Sequence, residues 1–129
     1  MIVVDASVFI HIIMETSKSQ KAVALLQAHV DWVAPEMVDL EVLNGVRKPM
    51  LRGDFSEQRA QAAIEAYSAF QIARLSSTPF QNDIWRLRHN MTPYDASYVV
   101  IAKAFDLTFL TCDAPLHAAS KNMIDCILV

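Results

Sequence analysis

Two hydrophobic rhythms alternate along this chain. Ile2, Val3 and Val4 are consecutive β-branched residues, so both faces of a short opening strand are apolar, as in a sheet covered on two sides. Residues 7–14 predict a short apolar helix, and residues 19–30 place Ala22, Leu25, Leu26, His29 and Val30 at helical spacing as packing positions. Residues 32–34 predict a second strand, stopped by Pro35, whose ring suits the first turn of a helix over 36–50, with Gly53 just past its end. Ser56 opens a helix to about residue 69, and 70–75 predict a weak strand. Thr78-Pro79 starts a helix to about residue 90, and Thr92-Pro93 starts the next, over 94–105, with Pro where a missing N–H costs nothing. A strand over 108–112, a short helix over 114–119 and a strand over 126–129 complete the alternation.

Parallel strands need crossover connections, which are usually helical. The pattern therefore predicts an α/β fold: a three-layer α/β/α sandwich around a mostly parallel, Rossmann-like sheet of five (or four) strands. At 129 residues, 53% of them hydrophobic, the chain fits a single domain over 1–129. Asp5 interrupts the apolar stretch 2–14, and no other apolar run approaches the ~20 residues of a membrane helix, so no membrane association is expected. Cys112 and Cys126 have neither zinc-site spacing nor the density of a disulfide scaffold, which predicts a reduced, cytoplasmic protein.

The topology gives four acids a common location. Asp5 ends the first strand and Asp113 follows the 108–112 strand, at the carboxyl ends where open α/β sheets bind ligands. Asp95 lies in the first turn of the helix leading back into that strand. Glu41 is about five residues into its helix, roughly 8 Å from the start at 1.5 Å per residue. Each has an ordinary alternative except Glu41. Asp5 and Asp113 are suited to capping helices, and Asp95 to closing a capping box with Thr92. Mid-helix Glu41 has Met37, Val38, Asn44 and Gly45 as its neighbours at three and four residues, and so no local cation. Four converging carboxylates repel one another by a few kcal/mol per pair at ~4 Å with an effective dielectric near 20. No Lys or Arg stands at a serviceable spacing, and hard oxygen ligands suit Mg²⁺ or Mn²⁺, which activate water at phosphate esters.

The formal charge of −3 does not advertise nucleic-acid binding. Fourteen acids less these four stand against eleven cations, however, so the charge does not exclude it. Arg47, Lys48 and Arg52 form one basic cluster, and Arg86, Arg88 and His89 another. Either is a candidate phosphate contact, although most such charges only face water. The four histidines lack a ligand spacing, and His11 in an apolar helix reads as a hydrogen-bonded core residue. Met50, Met91 and the aromatic residues read as packing, and Cys112 as a buried thiol.

At these residues the sequence resembles the PIN domain family, and within it the toxin component of VapBC-type toxin–antitoxin pairs. Four segments carry the resemblance over essentially the whole chain: Val3-Val4-Asp5-Ala6-Ser7; residues 34–44, holding Glu41; residues 92–102, holding Asp95; and residues 107–113, ending at Asp113. The resemblance implies a metal-dependent endoribonuclease whose acidic pocket is Asp5, Glu41, Asp95 and Asp113, with Ser7 and Thr111 as supporting hydroxyls and Mg²⁺ or Mn²⁺ as cofactor. It also implies water attacking an RNA phosphodiester in line, a homodimer, and silencing by a cognate antitoxin protein. A non-catalytic binding module and a housekeeping nuclease without an antitoxin are the alternatives. An aspartyl phosphatase is disfavoured, because Ser7 stands where its second Asp belongs.

Overall fold

The computed structural model describes residues 1–129. Strands β1 (Ile2–Val4), β2 (Trp32–Pro35), β3 (Ile72–Leu75), β4 (Phe109–Thr111) and β5 (Cys126–Leu128) form one sheet. Every pairing is parallel and the spatial order is β3-β2-β1-β4-β5. Helices α1 (Ala6–Ile13), α2 (Ser19–Gln27), α3 (Val38–Leu51), α4 (Glu57–Ser68), α5 (Gln81–Arg86), α6 (Pro93–Phe105) and α7 (Ala114–Ser120) flank it. The expected α/β architecture with five strands is the one observed. No helix is long and apolar enough to cross a membrane.

The all-apolar β1 is the reason for the centre of the sheet. Ile2, Val3 and Val4 are fully buried, which only a strand covered on both faces allows. Helix α1 packs on α2, α3 and α4, while α6 lies on β1, β2 and β4. At the α1–α3 crossing a Cβ built on Gly45 would lie 2.3 Å from Ile10 Cδ1, so the side chain missing there is the space Ile10 fills.

Three boundaries depart from the sequence reading. Pro35 is the last residue of β2, paired with Leu75, and α3 starts only at Val38; the ladder continues through Glu36 N–H to Leu75 C=O at 2.8 Å, so the absent proline donor is not missed. Helix α2 stops at Gln27, because the Trp32 indole N–H takes the Leu26 and His29 carbonyls at 3.2 Å; Val30 lies outside and is 95% exposed, so it is no packing position. The helix expected to reach residue 90 divides into a 3₁₀ turn, Thr78–Phe80, and the six-residue α5, after which Leu87, Arg88 and Asn90 donate to carbonyls three residues back.

Candidate functional site

Strand order runs outward from β1 through β2 to β3 on one side and through β4 to β5 on the other. The chain therefore reverses direction across the sheet between β1 and β4, where open parallel sheets leave a crevice at their carboxyl edge. Asp5 and Asp113 follow those two strands. The register Val4↔Leu110 sets Asp5 beside Thr111, and Asp5 N–H donates to Leu110 C=O at 2.9 Å.

Asp5 is 6% exposed, and as the residue preceding α1 it makes no side-chain capping bond. Two hydroxyls hold its carboxylate instead: Ser7 Oγ and Thr111 Oγ1 both donate to Oδ2, the latter at 2.8 Å. Oδ1 receives no protein donor. Thr111 also accepts from Asp113 N–H at 3.0 Å, and Ser7 from Cys112 N–H at 3.0 Å, so the two hydroxyls couple β4's end to β1's. Ser7 and Thr111 thus both hold one oxygen of the Asp5 carboxylate.

Asp113 does cap its helix, Oδ1 accepting Leu116 N–H at 2.8 Å, which leaves Oδ2 open. Thr92 caps α6 through Asp95 N–H at 3.2 Å, but the reciprocal bond of a capping box is not made, and the Asp95 carboxylate stays outside the helix ladder. Glu41 sits in the first turns of α3, half-buried, and its Oε1 accepts the Tyr98 hydroxyl at 3.0 Å. Glu41 indeed has no cation beside it, but it gains a hydrogen-bond partner that its own helix does not supply. The signal was present: Tyr98 stands three residues after Asp95, one helical turn along the same face.

Electrostatics tie the acids together. Burial pushes Asp5 above the ordinary carboxylate range against the lowering effect of Ser7 and Thr111, and Asp95 and Asp113 push it further. Burial is also the main cause for Asp95, followed by the charge of Asp113, with the Thr92 hydroxyl opposing. Glu41 is raised to about 7, mostly by burial, with Asp5 and Asp95 adding to it and the Tyr98 hydroxyl working against it. No Lys or Arg acts on any of the three. The result is a set of mutually repelling oxygen donors around the buried Asp5, with Glu41 and Asp95 half-buried and no protein cation acting on these three.

This donor set fits a hard divalent ion. Each side chain keeps an oxygen free of protein donors, and nitrogen and sulfur ligands are absent. No three His, Cys, Asp or Glu side chains are grouped tightly enough to enclose one ion by themselves. Asp5, Glu41, Asp95 and Asp113 are the side chains that would hold such an ion, with water needed to complete its shell.

The basic clusters divide by position. Arg52 is eleven residues beyond Glu41 on the α3 axis, about 16 Å away at 1.5 Å per residue, and it pairs with Asp54 at 3.0 Å. Arg86 and Arg88 instead precede the start of α6, which carries Asp95 at the site edge. Arg86 pairs with Asp83 at 2.9 Å, whereas the Arg88 guanidinium lies 4.9 Å over the Trp85 ring and has no carboxylate partner. Cys112 is buried, as read from sequence, whereas His11 is only half-buried and outside the core, although its Nδ1 does meet Thr16 Oγ1 at 2.6 Å. The aromatic residues do not all pack: Trp85, Tyr94 and Phe105 are 63%, 59% and 54% exposed.

A parallel five-stranded sheet with an acidic crevice at its reversal point defines a class, and the sequence agrees with it: residues 2–122 match the PIN domain family pattern, and the chain belongs to that family. Among its relatives, Ribonuclease VapC1 of Mycobacterium tuberculosis is 40% identical over 87 residues, a match that spans 67% of this chain and 65% of VapC1. Ribonuclease VapC9 of the same organism is 29% identical over 116 residues, 90% of this chain and 88% of VapC9. The crystal structure of FitAcB from Neisseria gonorrhoeae superposes with a TM-score of 0.69 at 17% identity, over 98% of this chain and 96% of that one. The last is a likeness of fold.

Proposed function

We propose that this protein is an Mg²⁺- or Mn²⁺-dependent endoribonuclease, and that it is the toxin of a toxin–antitoxin pair. The observation that carries the chemistry is the uncompensated set Asp5, Glu41, Asp95 and Asp113 at the β1/β4 crevice; the relatives named ribonucleases supply the substrate class. Asp5, fixed by Ser7 and Thr111, and Asp95, free of any reciprocal cap, are the firmest of the residues that would hold the ion, together with Glu41 and Asp113. When bound, the ion supplies the positive charge that acidifies a water and offsets charge on the phosphoryl oxygens. Glu41, whose carboxyl is raised in the metal-free site by burial and by Asp5 and Asp95, would be held ionised by the ion's charge and so would serve as an oxygen donor to it or as an acceptor for the water's proton. No side-chain nucleophile is needed. A homodimer and a cognate antitoxin partner belong to the same reading.

Cleavage of structured RNA by the purified protein tests it, with Mg²⁺ or Mn²⁺ against EDTA, and with Asp5→Asn and Asp95→Asn. Cutting that persists in EDTA or in either variant sinks the mechanism. The toxin assignment is tested separately, by finding a small reading frame overlapping upstream whose product relieves growth arrest.

A further inference from the structure

Strand β4 ends at Thr111 and α7 begins at Ala114, so the link that carries Asp113 belongs to neither element. Its three backbone polar groups ahead of the Asp113 side chain, Cys112 N–H, Cys112 C=O and Asp113 N–H, have no backbone partner. Side chains supply all three. Ser7 Oγ accepts Cys112 N–H at 3.0 Å, Thr111 Oγ1 accepts Asp113 N–H at 3.0 Å, and Lys18 Nζ donates to Cys112 C=O at 3.1 Å. Ser7 and Thr111 also hold Asp5, whereas Lys18 does not.

The contact made by Lys18 is prepared on its own side. Lys18 is the residue preceding α2, half-buried, and it forms no ion pair. Its N–H donates to Thr16 Oγ1 at 3.3 Å, and that hydroxyl meets His11 Nδ1, so the turn before α2 fixes where the long side chain starts. One helical turn on, exposed Lys21 donates to Leu128 C=O at 3.1 Å, at the end of β5. The start of α2 thus closes the carboxyl ends of two neighbouring strands, and only Lys18 meets the one that leads into an acid of the crevice. An ammonium on a carbonyl makes a charge-assisted bond, stronger than a neutral one. Without it Cys112 C=O is free to turn to solvent, and rotation of that peptide changes φ of Asp113. Asp113 Oδ1 is already occupied by Leu116 N–H, so the placement of Oδ2 follows the backbone.

We infer that Lys18 is a positioning residue for Asp113: its ammonium, through Cys112 C=O, sets the peptide that carries the Asp113 carboxylate; this rests on the metal-dependent ribonuclease reading above. Charge and position act in opposite directions here. As a point charge Lys18 repels a cation, so its removal tightens Mn²⁺ binding. As a clamp it holds an oxygen donor in place, so its removal weakens Mn²⁺ binding, as loss of a group that orients a metal-binding side chain does. The sign of the change therefore separates the two roles.

The test measures Mn²⁺ affinity of the full chain from the electron paramagnetic resonance signal of the free ion, and amide hydrogen exchange in EDTA. Lys18→Met keeps most of the stem and loses the donor. It is expected to weaken Mn²⁺ binding about 10-fold, and to quicken exchange at Cys112 and Asp113 about 10-fold while Phe109 N–H, on the same strand, stays as it was. Lys18→Arg, which keeps a cationic donor, retains most of both. Lys21→Met removes the same charge from the same helix and leaves both within twofold. In Asp113→Asn, adding Lys18→Met changes Mn²⁺ affinity less than twofold, because the group it positions is gone. Unchanged or tighter Mn²⁺ binding in Lys18→Met, equal quickening at Phe109, an equal loss in Lys21→Met, or an undiminished effect in Asp113→Asn overturns the proposal. So does a raised KM for RNA with Mn²⁺ affinity unmoved, which assigns Lys18 to the phosphate backbone. Mn²⁺ binding that depends on Lys18 without RNA cleavage defeats the ribonuclease reading alone. A wild type that binds no Mn²⁺ defeats the metal reading, and the exchange pattern then decides the clamp by itself.

Discussion

Tyr98 and Glu41, 57 residues apart in the chain, meet through a hydroxyl-to-carboxylate hydrogen bond of 3.0 Å that joins α6 to α3 across the acidic crevice. The bond favours ionised Glu41 against the burial that opposes it. Tyr98→Phe keeps the ring, which stacks on Phe109 at 5.7 Å between centroids, and removes only the donor. The Glu41 titration is then expected to move above 7 in a carboxyl-selective NMR experiment, with a stability loss of about 1 kcal/mol in a denaturant melt.

Stability of the metal-free protein is expected to fall as pH rises from about 4.5 to about 7. Glu41's folded pKa, about 7, lies above its ordinary 4.5, so the folded state holds the extra proton in that window and its advantage disappears above it. Asp5 and Asp95, raised in the same direction, steepen the fall, while the Tyr98 hydroxyl lessens it. Melting temperatures in EDTA across this range check the slope, and Glu41→Gln should flatten it.

Mn²⁺ should raise the melting temperature at pH 7.5, by an amount equivalent to about 2.7 kcal/mol at a hundredfold excess over its dissociation constant. Asp5→Asn and Asp95→Asn should abolish most of that rise. An equal rise in the variants would place the ion elsewhere.

Thr111 is fully buried, donates to Asp5 and accepts from Asp113 N–H. Thr111→Val keeps its volume but strips both bonds, and is expected to cost about 2 kcal/mol in urea unfolding and most of the RNA cleavage.

Gly45→Val should destabilise the fold by no more than about 1 kcal/mol, since its side chain meets the far end of the half-buried Ile10 side chain, which has room to turn aside at the α1–α3 crossing. Denaturant titration checks this, and Ile10→Ala in the same chain should recover part of the loss.

Much of this was legible in the sequence where a single local cause decides the outcome. Thr92-Pro93 and Ser56 start helices as their chemistry dictates, and the β-branched run 2–4 is the buried strand it resembles. Asp5 and Asp113 were placed by strand ends alone. What stayed hidden depends on partners far along the chain. Val30 loses its helical place to Trp32's indole, Glu41 gains Tyr98, and Asp39 in the first turn of α3 is held by Arg74 at 2.7 Å and Tyr67 at 2.7 Å, a clamp no spacing rule anticipates. Exposure of Trp85 was equally invisible, because periodicity shows that a residue is apolar and not what covers it.

The pairing of β1 with β4 also sets a clock. Asp5 is made among the first residues, yet the strand and hydroxyl that orient its carboxylate arrive with residues 109–111, and Asp113 follows them. A nascent chain on the ribosome therefore carries Asp5 without the partners that orient its carboxylate until residues 109–113 have been made. The acidic crevice is assembled only once that late strand has slid in beside the first, at a point when the helices that precede it have already been made.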